Sequence, residues 1–135
     1  MDDVFLKIIR GELPAAKLYE DEATFAFLDI KPTNKGHALV VPKQHFRNAL
    51  DMDPETFAAC AGTAQKVARA LKDTLGADGV NITMNNEPAA GQEVFHAHMH
   101  VIPRYENDGA FEKPKHQEYA DGEMDEVAAK IKAAL

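Results

Sequence analysis

The sequence predicts an α+β fold: a five-stranded antiparallel sheet with one main helix, a short N-terminal helix and a C-terminal helix. Three observations carry this. The chain has 135 residues, the length of a single domain at about 150 residues per domain. Its first two β-like stretches are joined by a tight acidic turn, which makes a hairpin, not a β-α-β crossover. A 3.6-residue apolar period is sustained at length from Phe57 to Leu75, the mark of one dominant amphipathic helix.

Val4, Phe5, Ile8 and Ile9 recur at helical spacing until Gly11 and Pro14 end the pattern near Arg10. Residues 17–19 and 23–29 read as two strands around the turn Glu20-Asp21-Glu22. After the turn-rich Lys31-Pro32-Thr33-Asn34-Lys35-Gly36, residues 37–41 are apolar and β-branched and Pro42 closes them as a third strand. Asp53 before Pro54 is an N-cap followed by an N1 proline, and Phe57, Cys60, Ala61, Ala64, Val67, Ala68, Leu71 and Leu75 keep helical phase up to Gly76. Residues 79–84 and 94–103 are the fourth and fifth strands, separated by a polar loop from Asn85 to Gln92. Met124, Val127, Ala128 and Ile131 place a last helix over 123–135, with Lys130 and Lys132 near its end as the helix dipole prefers. The domain is taken as 1–105, with 106–135 an extension that packs on it.

Composition excludes several functions. Lys plus Arg number 15 against 22 Asp plus Glu, a net charge of −7, which argues against a nucleic-acid partner. Hydrophobic residues at 45% are enough for a packed core. Apolar runs such as Phe57 to Ala61 fall far short of the ~18 residues that span a bilayer, so no membrane partner is expected. Met1-Asp2-Asp3 is acidic where a secretory signal is basic, and the expected compartment is the cytoplasm. Cys60 is the only cysteine, so neither an intrachain disulfide nor a thiolate zinc cluster can form. Its place on the apolar helix face reads as a buried structural thiol.

The chemistry concentrates in histidines: His37 at a strand start, and His96, His98 and His100 in alternation. On a continuous strand these last three project to one side, and Phe95, Ala97, Met99 and Val101 to the other. Core burial accounts for the second set and not for the first. Two readings remain. In one, the imidazoles share a divalent ion, although a row spread over roughly 13 Å must bend to reach a single centre. In the other, one neutral imidazole attacks phosphorus while its neighbours orient it, move protons and stabilise oxygens.

The segment His96-Ala97-His98-Met99-His100-Val101-Ile102 resembles the alternating signature of the histidine triad (HIT) superfamily. The likeness extends over about 100 residues, Val4 to Arg104, through 5–14, 26–30, 36–43 and 91–95, in the order of its Hint-like branch. It implies a nucleotidyl hydrolase or transferase acting on purine nucleoside phosphoramidates or related conjugates through a nucleotidyl-histidine intermediate. By the same resemblance His98 is the nucleophile, His96 orients it, and His37 and His100 complete the hydrogen-bonded set and assist proton movement. Asp29 and Ile30 align with the ribose- and base-contacting segment, and Phe5, Ile8 and Phe27 with the apolar base pocket. Asn85 and Gln92 align with amides that contact the phosphate or leaving group, and the loop between them is placed to offer backbone N–H groups to an anion. A purine nucleotide and a second copy of the chain are the implied partners; no cofactor is implied. Competing readings are a dinucleoside polyphosphate hydrolase of the same superfamily, a nucleotide-binding regulatory module and a metal-dependent hydrolase.

Three departures from the pattern stand out. Many bacterial relatives carry a zinc-binding Cys-x-x-Cys where this chain has Asp3-Val4-Phe5-Leu6, so no metal site is expected. The tryptophan-bearing C-terminal tail of Hint-type proteins is absent, the chain having no Trp. Glu93 stands where serine or threonine is usual, and is a candidate modulator of leaving-group choice.

Overall fold

In the computed structural model, which describes residues 3–135, the chain runs α1 (Val4–Ile9), β1 (Lys17–Glu20), β2 (Thr24–Leu28), β3 (Ala38–Pro42), α2 (Pro54–Leu75), β4 (Gly79–Thr83), β5 (Met99–Arg104) and α3 (Glu123–Ala134). A single 3₁₀ turn, Pro88–Ala90, interrupts the loop before β5. Met1 and Asp2, on which the acidic-start argument partly rests, lie outside the described residues. The sheet order is β1-β2-β3-β5-β4, and every neighbouring pair is antiparallel. The fold is therefore the predicted α+β open sheet.

The long helix α2 forms where its signals place it. Asp53 accepts from the Thr56 amide at 3.0 Å, Pro54 occupies the first turn, and Gly76 ends the helix at φ 65°, a left-handed geometry that suits glycine. Its buried stripe of Cys60, Ala64, Val67 and Leu71 packs on Ala26, Ala38, Val40, Met99 and Val101 from one face of the sheet. The alternate residues Phe25, Phe27, Leu39 and Val41 face the other way and are covered by Phe5 of α1, with Ile8 and Ile9 alongside. Small residues on one face admit the helix; aromatics on the other build the wall on which the histidines stand. Cys60 is buried and its thiol is pushed up to about 11 by burial, with Asp21 adding to it. It is the inert structural thiol expected.

Two expectations need correction. Strand β5 starts at Met99 instead of residue 94. Upstream of it the backbone is diverted: the Gln92 amide donates to the Val94 carbonyl at 3.1 Å and the Ala97 N–H to the Phe46 carbonyl at 2.8 Å. Strand alternation therefore does not extend back to His96, and the three histidines do not form a row on one face.

The second correction concerns the C-terminal extension. Arg104 grips Asp108 through two bonds of 2.8 and 2.7 Å, and Asn34 ties Asp108 to the Pro103 carbonyl. Beyond residue 110 every residue except Val127 is exposed, and α3 buries none. The extension touches the body near its start, where the Glu106 N–H donates to Asp78 at 2.8 Å and the Phe111 ring lies 4.7 Å from the Arg104 guanidinium, but it contributes no buried residue to the core.

Candidate active site

His98 lies at the junction of the diverted loop and β5, buried and edge-on to the Phe5 ring at 5.1 Å. Its Nδ1 faces the His96 backbone carbonyl at 2.7 Å. A carbonyl oxygen only accepts, so the proton is on Nδ1 and the neutral ring keeps its lone pair on Nε2. Burial holds the imidazole below its ordinary pKa, against the opposing hydrogen bond to His96. The result is a neutral, oriented ring nitrogen whose lone pair is able to attack an electrophile at neutral pH.

A second pair sits beside it. The His98 and His100 ring centroids are 5.0 Å apart, and His100 Nδ1 lies 2.9 Å from His37 Nε2. The direction of that bond follows from the far end, where the Thr33 backbone N–H donates to His37 Nδ1 at 3.0 Å. His37 thus accepts at Nδ1, donates from Nε2 to His100 Nδ1, and leaves the remaining proton of His100 on its Nε2. Burial lowers His37 against the nearby Asp29 carboxylate. It pushes His100 down to about 4, with His98 and His37 adding to the effect. Both rings are neutral at pH 7.

His96 stands apart from this pair. It has no exposed surface; its Nε2 lies 2.8 Å from the Pro42 carbonyl and its Nδ1 3.0 Å from Asp3 Oδ2. His45 Nδ1 meets the same oxygen at 2.9 Å. Burial acts against ionisation of Asp3, yet the Leu6 amide and His96 hold its carboxyl below the usual range.

The depressed imidazoles of His37, His98 and His100 set a pH dependence. A histidine whose folded pKa lies below its unfolded value near 6.5 leaves the fold at full stability above that pH, and folded and unfolded states bind protons unequally below it. Stability is expected to fall as pH drops from about 6.5 toward 4, by up to about 1.4 kcal/mol per pH unit for each such group. Urea midpoints at pH 7.5, 6 and 5 measure this, and His100→Gln should show a shallower decline than wild type. Equal declines would show that His100 does not contribute.

Comparison with known proteins agrees with this geometry. A family profile described as the HIT domain matches residues 10–107. The chain is a HIT protein. It is 49% identical over 129 residues to an uncharacterized HIT-like protein of Methanocaldococcus jannaschii, a match spanning 96% of this chain and 98% of that one. The crystal structure of a Streptococcus mutans protein, 45% identical, superimposes with a TM-score of 0.92 over 98% of this chain and 85% of the other. Adenylylsulfatase HINT3 of Arabidopsis thaliana is 43% identical over 107 residues, covering 79% of this chain and 54% of that protein.

Among the other candidates in this HIT protein, Asp29 joins the site, its Oδ2 lying 3.8 Å from His37 Nε2 while Oδ1 accepts from the Lys31 amide at 2.9 Å. Ile30, beside it, is 90% exposed, an apolar surface for which the fold itself has no use. Phe5 and Phe27 are core residues in T-shaped contact at 5.6 Å; Ile8 is half-buried against the same cluster. Asn85 makes only a long 3.4 Å bond to the Gly91 carbonyl, which leaves its amide available.

Gln92 needs correction. Its Oε1 accepts from Asn48 Nδ2 at 3.1 Å and from the Glu87 amide at 2.8 Å. Its Nε2 donates to the Arg47 and Val94 carbonyls at 2.7 and 3.1 Å. With every hydrogen-bonding position used inside the protein, it is the lock of the loop and not a phosphate contact. The N–H groups of Ala90, Gly91 and Gln92 are likewise bonded within the loop, so they are not free for an anion. Glu93 is exposed.

Sequence reasoning missed Asp3, His45 and the Thr33 amide. Asp3 was findable as an N-cap ahead of the Val4 helix. His45 belongs to no periodic pattern, and no side-chain pattern encodes a backbone N–H.

Among the described residues, two groups bring donor atoms within 4.8 Å of one another, Asp3 with His45 and His96, and Asp29 with His37 and His100. The lack of a Cys-x-x-Cys predicts no metal site, but oxygen and nitrogen donors do converge at both places. Hydrogen bonds join Asp3 to His45 and His96 and join His37 to His100, while Asp29 stands 3.8 Å from His37.

Proposed function

We propose that this HIT protein is a nucleotidyl hydrolase or transferase that acts on purine nucleoside phosphoramidates or related nucleotide conjugates. HIT membership supports nucleotide hydrolase or transferase chemistry in general. The observation that carries the finer reading is the Nδ1–H tautomer of His98, which leaves the Nε2 lone pair free beside the Nε2–H of His100.

In the first step His98 Nε2 forms a bond to the α-phosphorus. The P–N electron pair departs with the amine, which takes a proton from solvent. His98 becomes a cation, and its Nδ1–H bond to the His96 carbonyl strengthens as charge develops. The His100 Nε2–H donates to a phosphoryl oxygen, and the His37 bond holds that donor in place. Water then attacks phosphorus, the P–Nε2 pair returns to His98, and a proton leaves to solvent. Asp29 accepts from the ribose hydroxyls and Ile30 offers a face to the base. Local donors must hold the phosphate, since the net charge of −7 repels an anion at long range.

Incubation with adenosine phosphoramidate quenched in alkali, followed by peptide mass spectrometry kept at neutral to alkaline pH, tests the reading, because a P–N bond to histidine survives base and is cleaved by acid. An adenylyl group on His98 is expected, and turnover without any adduct on a histidine would overturn the covalent route. The same reading takes the active protein as a homodimer, which sedimentation at micromolar concentration checks.

Glu93 bears on which leaving group is preferred. A carboxylate near the site disfavours a long polyphosphate and assists an amine that gains a proton. Glu93→Ser is therefore expected to narrow the preference for adenosine phosphoramidate over diadenosine tetraphosphate. An unchanged ratio of the two kcat/KM values would show that this exposed carboxylate plays no part.

A further inference from the structure

We propose that Asp3 is a positioning residue for His98: its carboxylate clamps the buried ring of His96 and so fixes the backbone carbonyl that sets the His98 tautomer. The inference rests on the reading of His98 as nucleophile, and goes beyond it by adding a residue that touches no reacting atom.

The two carboxylate oxygens of Asp3 do separate work. Oδ1 caps α1 through the Leu6 amide at 2.7 Å. Capping needs no more than one oxygen, which Ser or Asn supplies as well. Oδ2 is surplus to that task, and takes both His96 Nδ1 at 3.0 Å and His45 Nδ1 at 2.9 Å. Bonds to a carboxylate are shorter and roughly twice as strong as neutral ones.

His96 lies between two acceptors, Asp3 Oδ2 at 3.0 Å from its Nδ1 and the Pro42 carbonyl at 2.8 Å from its Nε2, so its ring cannot turn without giving up the contacts at both ends. The same residue presents its own carbonyl to His98 Nδ1 at 2.7 Å. A path of two hydrogen bonds and one residue thus joins the cap of α1 to the proton that decides where the His98 lone pair sits. Phe5, in the first turn of the capped helix, packs edge-on to both rings, at 5.9 Å from His96 and 5.1 Å from His98. Without Oδ2, the peptide unit after His96 gains freedom to tilt. His98 can then place its proton on Nε2, a tautomer with no lone pair to offer phosphorus.

The test uses Asp3→Ser and Asp3→Asn, which keep a capping oxygen and remove the charged second one. Both are assayed with adenosine phosphoramidate in the presence of EDTA, and the ring nitrogens of His98 are read by long-range ¹⁵N NMR of histidine-labelled protein. Expected are a kcat lowered ~10- to 100-fold, as misplacement of a reacting group by about an ångström produces, with KM within about twofold. The His98 ring should move from the single Nδ1–H tautomer to a mixture, with the melting curve still cooperative. Unchanged kcat with unchanged His98 signals in either folded variant overturns the proposal. So does a wild-type His98 spectrum that EDTA alone alters, because a metal and not the carboxylate would then hold the histidines. A shifted tautomer in a protein whose wild type turns over no nucleotide supports the positioning role and sinks the nucleotidyl reading, which keeps the two failures apart.

Discussion

His98→Asn is expected to abolish turnover while leaving nucleotide binding in place. Asn retains an N–H able to reach the His96 carbonyl that now receives Nδ1 at 2.7 Å, so the local backbone has no reason to move. What disappears is the Nε2 lone pair and with it the covalent route. Loss of that route is expected to cost about 5 kcal/mol or more of transition-state stabilisation, on the order of 10³- to 10⁴-fold in rate. Single-turnover rates measured beside titration calorimetry with a non-hydrolysable nucleotide separate the two effects. A variant that keeps a tenth of wild-type turnover would remove His98 from the nucleophile's place.

The second large effect concerns stability. Phe27 is 3% exposed and stands between Phe5, at 5.6 Å, and Phe25, at 6.0 Å. Phe27→Ala opens a cavity under α1 and is expected to cost about 3–5 kcal/mol. Small domains have about 5–15 kcal/mol in total, so the variant should unfold at a markedly lower urea concentration with its m-value little changed. Phe27 was expected as part of a base pocket, and the experiment decides between the two roles. A stability loss below about 1 kcal/mol together with weakened purine affinity would make it a binding residue; the core contacts described here predict the opposite.

Where sequence reasoning succeeded, the deciding signals were local. Asp53, Pro54 and Gly76 bracket α2 with cap chemistry that acts over three or four residues, and the apolar period between them needs no tertiary context. The alternation of Phe25 and Phe27 with Ala26 likewise names both faces of β2 before any partner is known. The fifth strand failed for the opposite reason. Residues 94–98 alternate as a strand does, but their backbone groups are taken by Gln92 and Phe46, partners outside the segment. Gln92 itself reads as a polar loop residue open to a ligand, and only the arrival of Arg47, Asn48, Glu87 and Val94 around it reveals four satisfied bonds. Asp3 and His96 are 93 positions apart in sequence, and nothing in either neighbourhood signals the other. His98 and His100 were legible as chemistry because histidines alternating along a strand are not accounted for by core burial. Which nitrogen of each carries the proton was not legible, since a carbonyl and an amide N–H decide it.

That last point gives the Thr33 amide an importance out of proportion to its size. Each imidazole in the link from His37 to His100 could in principle be turned end for end, its proton handed to the other nitrogen, and the string of bonds would then run backward. A peptide N–H cannot take part in such a reversal, because it neither accepts nor gives up its proton in this pH range. Anchored at 3.0 Å on His37 Nδ1, it makes the link one-way, with the donor end always at His100 Nε2. The polarity of the site is thus written into the main chain of a surface turn, beyond the reach of almost any side-chain exchange there; proline, which has no N–H, is the one residue that would erase it.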